Sequence, residues 1–294
     1  VVAGLCAGLG LGASVPALVQ WAVSSERREM ALIVTGHQRS GTSLLARLLN
    51  AHPEVRMTSE FGNFLQVGAP RGRYLRRLLK RWGGIVTRPA TIAPSFSGRG
   101  PRREVMRENN RFVWRYLRQI QNTKTERVTT EVIDRALHEL LPGANVVGDK
   151  YPEYIWDLEN LVAAGDLSIL VIYRDCRDVT SSTLQRARTD WRRMPLFVRK
   201  LNTAEKVAGR WVRAMDLAES QRDRIFMLRY EELVTDVCAP LSRLAEWMDI
   251  DPTGFEVKRI SSRSVGKYKR GLTDVEIDTV MGIAGSTMER LGYG

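Results

Sequence analysis

Short, unbroken apolar runs recur along the chain and alternate with stretches whose apolar residues repeat every three or four positions. Ala31–Thr35 (ALIVT) leads into a glycine, and Ser168–Tyr173 (SILVIY) and Ile225–Tyr230 (IFMLRY) repeat the pattern, with Asn145–Gly148 (NVVG) as a shorter fourth run. Runs that are apolar on both faces predict buried parallel strands. Between them, Thr42–Asn50 places Leu44, Leu45, Leu48 and Leu49 on one helical stripe, and Val234–Met248 predicts a second helix after the third run. Strands alternating with helices predict an α/β fold with a parallel sheet flanked by helices. Ligands of such sheets collect at the carboxyl ends of the strands. Arg39, Lys150, Arg174 and Tyr230, each at or just after an apolar run, are therefore expected to converge.

One long stretch breaks the alternation. Arg71–Arg118 holds fourteen Lys/Arg against two acids, Glu104 and Glu108, with Gly, Pro and Ser scattered through Ile85–Pro101. It reads as a basic helical or loop insertion, partly mobile, rather than another strand–helix unit: either a solvated surface, or a lid or acceptor platform. Arg186–Lys200, with Trp191 and Pro195, reads as a further flap. There is no internal repeat or low-complexity linker, so residues 30–294 read as a single domain with insertions, preceded by an extension, residues 1–29. Val1–Ser25 carries no charge, and a bilayer crossing takes about 20 apolar residues. Yet Gly and Ala dominate it, Pro16 interrupts it and no basic n-region precedes it. A membrane anchor, a packed helix and an upstream extension of a domain starting at Met30 compete; the last two are favoured, and membrane association would rest on residues 1–25 alone.

Composition adds two constraints. Ordinary apolar and charged fractions predict a buried core and exclude global disorder. The net charge of +12 over 294 residues points to a polyanionic partner: nucleic acid, anionic lipid, a nucleotide or an acidic substrate. Cys6, Cys176 and Cys238 are few and far apart, which implies neither zinc nor a disulfide framework and fits a reducing, cytoplasmic compartment. Cys176 reads as a small buried filler.

Chemistry enters at GHQRSGTSLLARLLN, Gly36–Asn50. A phosphate loop of the form G-x-x-x-x-G-K-[ST] is matched in its glycines, Gly36 and Gly41, but Thr42 replaces the lysine and the cation has moved back to Arg39. Backbone N–H groups and a helix N-terminus hold an anion through fixed partial charge. The missing lysine normally reaches the β- and γ-phosphates, beside a hydroxyl that holds magnesium. Its loss argues against a nucleoside triphosphate and for a 5′-phosphate bearing something other than more phosphate. The stretch resembles the 5′-phosphosulfate loop of sulfotransferases that use 3′-phosphoadenosine 5′-phosphosulfate (PAPS), whose [KR]-S-G-T-[ST] core is matched by Arg39, Ser40, Gly41, Thr42 and Ser43.

A second motif supports that resemblance. The family holds the cofactor's 3′-phosphate with an arginine at a strand end and a serine eight residues later, and YRDCRDVTSS supplies Arg174 and Ser182. The alternative is an arginine that only braces the helix through Asp175 or Asp178. VGDKYPEYI, with Lys150 and Pro152, resembles the [DN]-K-x-P segment that brings a lysine toward the transferring group. LRYEELV, with Tyr230, resembles the segment near the adenine, and SVGKYKRGL offers Lys267 as a phosphate contact. The resemblance implies PAPS as cofactor, in-line sulfuryl transfer to a hydroxyl or amine, and no metal. Arg39 and Lys150 would stabilise charge on the leaving phosphate oxygen.

The family's general base is a histidine in one branch and a glutamate in the tyrosylprotein-like branch. AHPEVRMTSEFGNF places Glu60 where the glutamate falls, with His138 in reserve; His52 and His37 read as structural. Two other readings remain open at this stage: a kinase-like phosphotransferase that has lost its lysine, and a non-catalytic polyanion-binding module. The basic insertion suggests a carbohydrate, an acidic peptide or another small molecule as acceptor, with no specific nucleic acid.

Overall fold

A computed structural model describes residues 30–83, 102–192, 194–257 and 260–294; the N-terminal extension, with Cys6, lies outside the described residues. Five strands form one parallel sheet in the order β2-β3-β1-β4-β5, with β1 Met30–Thr35, β2 Val55–Ser59, β3 Val146–Lys150, β4 Ser168–Tyr173 and β5 Phe226–Arg229. The α-helices of six residues or more among the described residues are α1 Thr42–Ala51, α2 Arg71–Gly83, α3 Arg102–Asn122, α4 Thr130–Leu140, α5 Leu158–Ala163, α6 Cys176–Arg188, α7 Ala204–Glu219, α8 Tyr230–Thr235, α9 Cys238–Met248 and α10 Asp274–Arg290.

The central strands carry side chains buried on both faces, which is why β1 and β4 are continuous apolar runs. One face packs against α1, α8 and α9 through Leu45, Leu49, Leu233 and Leu244. The other packs against the remaining helices through Tyr116, Ile133, Val179, Trp211 and Met288. After β1 the chain leaves toward β2, and after β4 it leaves the other way toward β5. The adjacent carboxyl ends of β1 and β4 thus form the topological switch point, where a crevice opens.

Four features differ from expectation. The Val55–Ser59 strand was not foreseen. The strand after Asn145 runs on through Asp149 and Lys150, both buried. Val234–Met248 is divided, because Tyr230–Thr235 is already helical and α9 starts afresh at Cys238. The described parts of Arg71–Arg118 are packed helices: Tyr74, Leu78 and Trp82 of α2 meet Phe112, Tyr116 and Ile120 of α3 in the core, and the Tyr74 and Tyr116 hydroxyls lie 2.8 Å apart. The stretch Ile85–Pro101 that suggested a loop falls wholly outside the described residues.

Candidate functional site

The loop after β1 is shaped by its glycines. Gly36 has φ 143°, and a Cβ there would sit 2.1 Å from the Ile172 carbonyl oxygen of β4. Gly41, the N-cap of α1, has φ 106°, and a Cβ would come within 2.5 Å of the Tyr230 ring. Tyr230 therefore serves as the floor beneath the loop's end. Between the glycines Arg39 is itself left-handed, with φ 73°. Its Nε donates to Ser182 Oγ at 2.9 Å, which ties the β1 loop to α6.

Arg174 follows β4 and is nearly buried. Its backbone carbonyl accepts from the indole of Trp211 on α7 at 3.0 Å, fixing where the side chain starts. Its guanidinium lies 4.6 Å over the Tyr230 ring, pairs with Asp178 at 3.1 Å and donates to the Ser264 carbonyl. Asp178 also accepts from the backbone N–H of Gly266 at 2.8 Å and of Tyr268 at 2.9 Å, pinning the segment that carries Lys267. Asp175 caps α6 through Arg177 N–H. The bracing alternative for Arg174 is thus realised through Asp178, alongside its exposure to the cleft.

Arg39, Arg174, Ser182 and Lys267 line one cleft of about 460 Å³. Arg186, on α6 one turn beyond Ser182, lines it too. Sequence reading assigned Arg186 to a flap, although its i+4 spacing from Ser182 on a helix was the available signal. Burial, then Arg186, then Arg174 lower the pKa of the Arg39 guanidinium from its ordinary value, so cations crowd here. Ser40 Oγ in the loop and Arg174 Nε at the cleft are buried without a hydrogen-bond partner among the described residues. Free donors beside concentrated positive charge fit a ligand with separated phosphate groups. Thr42 is buried in the first turn of α1, and Ser43 is exposed beside it.

On the other flank of β1, Lys150 ends β3 and Glu60 follows β2. Lys150 Nζ donates to Glu60 Oε1 at 2.8 Å; the lysine side chain is 3% exposed and the glutamate 51%. Glu60 is held at φ 60°. Its turn is anchored by Asp149, a buried carboxylate that accepts from Thr58 Oγ1, Phe61 N, Gly62 N and the Tyr154 hydroxyl at 2.6–3.1 Å. Arg81 of α2 completes the rim, donating to the Glu60 carbonyl at 3.0 Å and lying over Tyr151 at 4.6 Å. Sequence reading singled out neither Asp149, because a buried acid carries no periodic signature, nor Arg81, one of fourteen basic residues in its stretch.

The histidines separate cleanly. His138 contacts Asp134 at 3.1 Å and the Asn145 carbonyl at 3.4 Å, at the amino edge of the sheet and away from the cleft, so the reserve base is misplaced for the reaction. His52 bridges Asp251 O and Glu54 N and packs on Phe255. His37 is fully buried, with Nδ1 donating to the Gln38 carbonyl at 2.9 Å, and burial pushes its pKa down to about 4. Between pH 6.5 and about 4 the unfolded chain therefore holds a proton there that the folded chain refuses, so stability falls as pH falls through that window. The loss is on the order of 3 kcal/mol. Urea unfolding at pH 7 and pH 4.5 should show it in the wild type and not in His37→Asn; parallel profiles would refute the assignment. Cys176 is buried as expected, its thiol pKa raised by burial.

Among the described residues no group of three or more His, Cys, Asp or Glu is placed to hold a metal ion, and no helix is long and apolar enough to cross a membrane. A family model described as the sulfotransferase family matches residues 31–254. Among solved structures, the chain is similar to the sulfotransferase domain of the Synechococcus PCC 7002 olefin synthase, at 15% identity over 89% of this chain and 98% of that one, with TM-score 0.52. It also aligns with sulfotransferase STF9 from Mycobacterium avium (18% identity, 92% and 78% covered, TM-score 0.49) and with mouse sulfotransferase SULT7A1 complexed with PAP (12%, 89% and 85%, 0.44). At 15% identity the likeness to the olefin synthase domain bears on the fold alone. No curated protein matches the chain.

Proposed function

The chain belongs to the sulfotransferase family, and from that premise we propose that it moves a sulfuryl group from PAPS to an acceptor hydroxyl or amine, with Glu60 as general base and Arg39 and Lys150 as the cations that stabilise developing charge. The observation that carries this reading is the convergence of Arg39, Arg174, Ser182 and Lys267 on one cleft, with the Glu60–Lys150 pair on the same sheet edge. PAPS, when bound, supplies a sulfuryl group on a phosphate that can leave as a stable anion. Arg174 and Ser182 hold its 3′-phosphate, with Lys267 from the segment pinned by Asp178. Ser40, Thr42 and Ser43, with the N–H groups around Gly41, hold the 5′-phosphate, and Arg39 faces its edge.

Glu60 is exposed enough to meet an acceptor, and its oxygen partnered by Lys150 is already oriented. A proton taken up by Glu60 neutralises the carboxylate and loosens its hold on Lys150. The ammonium then becomes available to the departing oxygen at the moment that oxygen gains charge. The acceptor belongs to the carbohydrate, acidic-peptide or other small-molecule class, and residence of the protein in the cytoplasm is part of the same proposal, resting on its few dispersed cysteines.

Calorimetric titration with 3′-phosphoadenosine 5′-phosphate, beside ATP with magnesium, tests the donor assignment. Wild type should bind the bisphosphate in preference to ATP. Arg174→Ala and Ser182→Ala should each weaken it, Arg174→Ala by roughly 10- to 100-fold, the range of a charge-assisted hydrogen bond. Indifference to the 3′-phosphate, or preference for ATP, would return the protein to the kinase-like or polyanion-binding readings.

A further inference from the structure

The charge of this chain is unevenly placed. Of 45 Lys/Arg and 33 Asp/Glu, fourteen and two fall in Arg71–Arg118, so the remaining 31 of each sign cancel and the whole surplus of +12 lies in one segment. In the fold that segment supplies α2 and α3, which pack side by side with their apolar sides inward and their arginines outward. On α3, Arg107, Arg111, Trp114 and Arg118 recur at the i, i+4, i+7, i+11 spacing of one helical face, and all four are exposed. Trp114 is 65% exposed, unusual for so large a ring. Arg76, Leu79 and Lys80 of α2 are exposed on the neighbouring helix, Leu79 at 40%.

We propose that the outer face of α2 and α3 is a docking surface for an anionic lipid bilayer. Clustered arginines suit a plane of lipid phosphates, which each guanidinium can meet bidentately. An exposed tryptophan set among them suits the headgroup level, where its ring is buried and its N–H stays wet. A soluble polyanion would be satisfied by the arginines alone, leaving Trp114 and Leu79 in water. The outward surface of two packed helices also suits a plane better than a strand that must be wrapped. Arg81, at the end of α2, touches the Glu60 turn, so docking would hold the acceptor side of the site near the bilayer. The inference does not depend on the donor assignment.

The test is sedimentation of the full chain with vesicles of phosphatidylcholine alone, and of equal parts phosphatidylcholine and phosphatidylglycerol. Each surface arginine contributes about fivefold to partitioning onto an anionic membrane. The wild type should therefore sediment with the anionic vesicles and not the neutral ones, and lose this at high salt. Arg107→Glu/Arg111→Glu/Arg118→Glu should weaken binding by about 100-fold or more. Arg47→Glu/Arg135→Glu/Arg224→Glu, exposed positions elsewhere with the same charge change, should bind nearly as the wild type. Trp114→Ser should weaken vesicle binding and leave heparin binding unaltered. Equal loss in the two triple variants would reduce the effect to net charge and overturn the proposal. So would tight, α3-dependent binding to heparin with no vesicle binding, or no binding to either. Unchanged melting temperatures of the variants exclude misfolding as the cause.

Discussion

With Glu60 as the proposed general base, Glu60→Gln should lower turnover by roughly 10²–10⁴-fold, the span that a positioned base contributes, while binding of 3′-phosphoadenosine 5′-phosphate should stay close to wild type. The amide keeps the shape of the side chain and one oxygen for Lys150, but it cannot accept the acceptor's proton. The fold should survive, because the turn is held by Asp149 and by Arg81 on the backbone rather than by the Glu60 side chain. His138→Ala is the informative contrast: that ring sits at the opposite edge of the sheet, so its loss should leave the rate per folded molecule intact. Single-turnover rates of the two variants decide the matter. A Glu60→Gln enzyme at wild-type turnover, beside a dead His138→Ala enzyme, would transfer the role of base to the histidine.

Gly36→Ala is expected to have the second large effect, and through stability. The new methyl would lie 2.1 Å from the Ile172 carbonyl oxygen, and no side chain can rotate away because the neighbour is backbone. Relief requires β1 and β4 to move apart at the point where the loops carrying Arg39 and Arg174 begin. A loss of about 4 kcal/mol, at the extreme of single substitutions, would lower Tm by roughly 10 °C for a domain of this size. Calorimetric melting reads it directly, and a melting temperature within a degree or two of wild type would mean that the strands accommodate the methyl.

Much of the cleft was legible in sequence because its residues are close along the chain. Gly36, Arg39 and Gly41 belong to a single loop, and Arg174 and Ser182, paired through the family resemblance, are eight residues apart at the start of one helix. The strands buried on both faces, β1 and β4, were legible for a similar reason, since nothing polar interrupts them. β3 ends in Asp149 and Lys150, whose burial is offset by partners from β2, Tyr154 and Glu60; no one-dimensional pattern reports partners that distant. β2, reading VRMTS, has an edge position and a mixed pattern that five residues cannot distinguish from a loop. In α2 and α3 the density of arginine masked an apolar stripe that Tyr74, Leu78 and Trp82 display at regular four-residue spacing. Arginine stems cover such helices readily without disturbing the buried side.

The position of β1 in the middle of the sheet divides the molecule's labour. Arg174, Ser182 and the 264–268 segment all come from chain beyond β4, on one side; Glu60, Lys150 and Arg81 come from chain before it, on the other. Among the site residues, those of the loop after β1 reach both halves, Gln38 bonding to Glu153 and Arg39 to Ser182. Under the proposed roles, mutation can therefore alter the side chains of one half of the site while those of the other stay in place. A lineage could exchange α2, α3 and their connection to meet a new acceptor while its donor machinery stands still. The same seam offers a cut for chimaeras, provided that each recombinant keeps the loop at Gly36–Gly41 and the contacts across the seam, Arg210 on Trp156 and His52 on Asp251 among them.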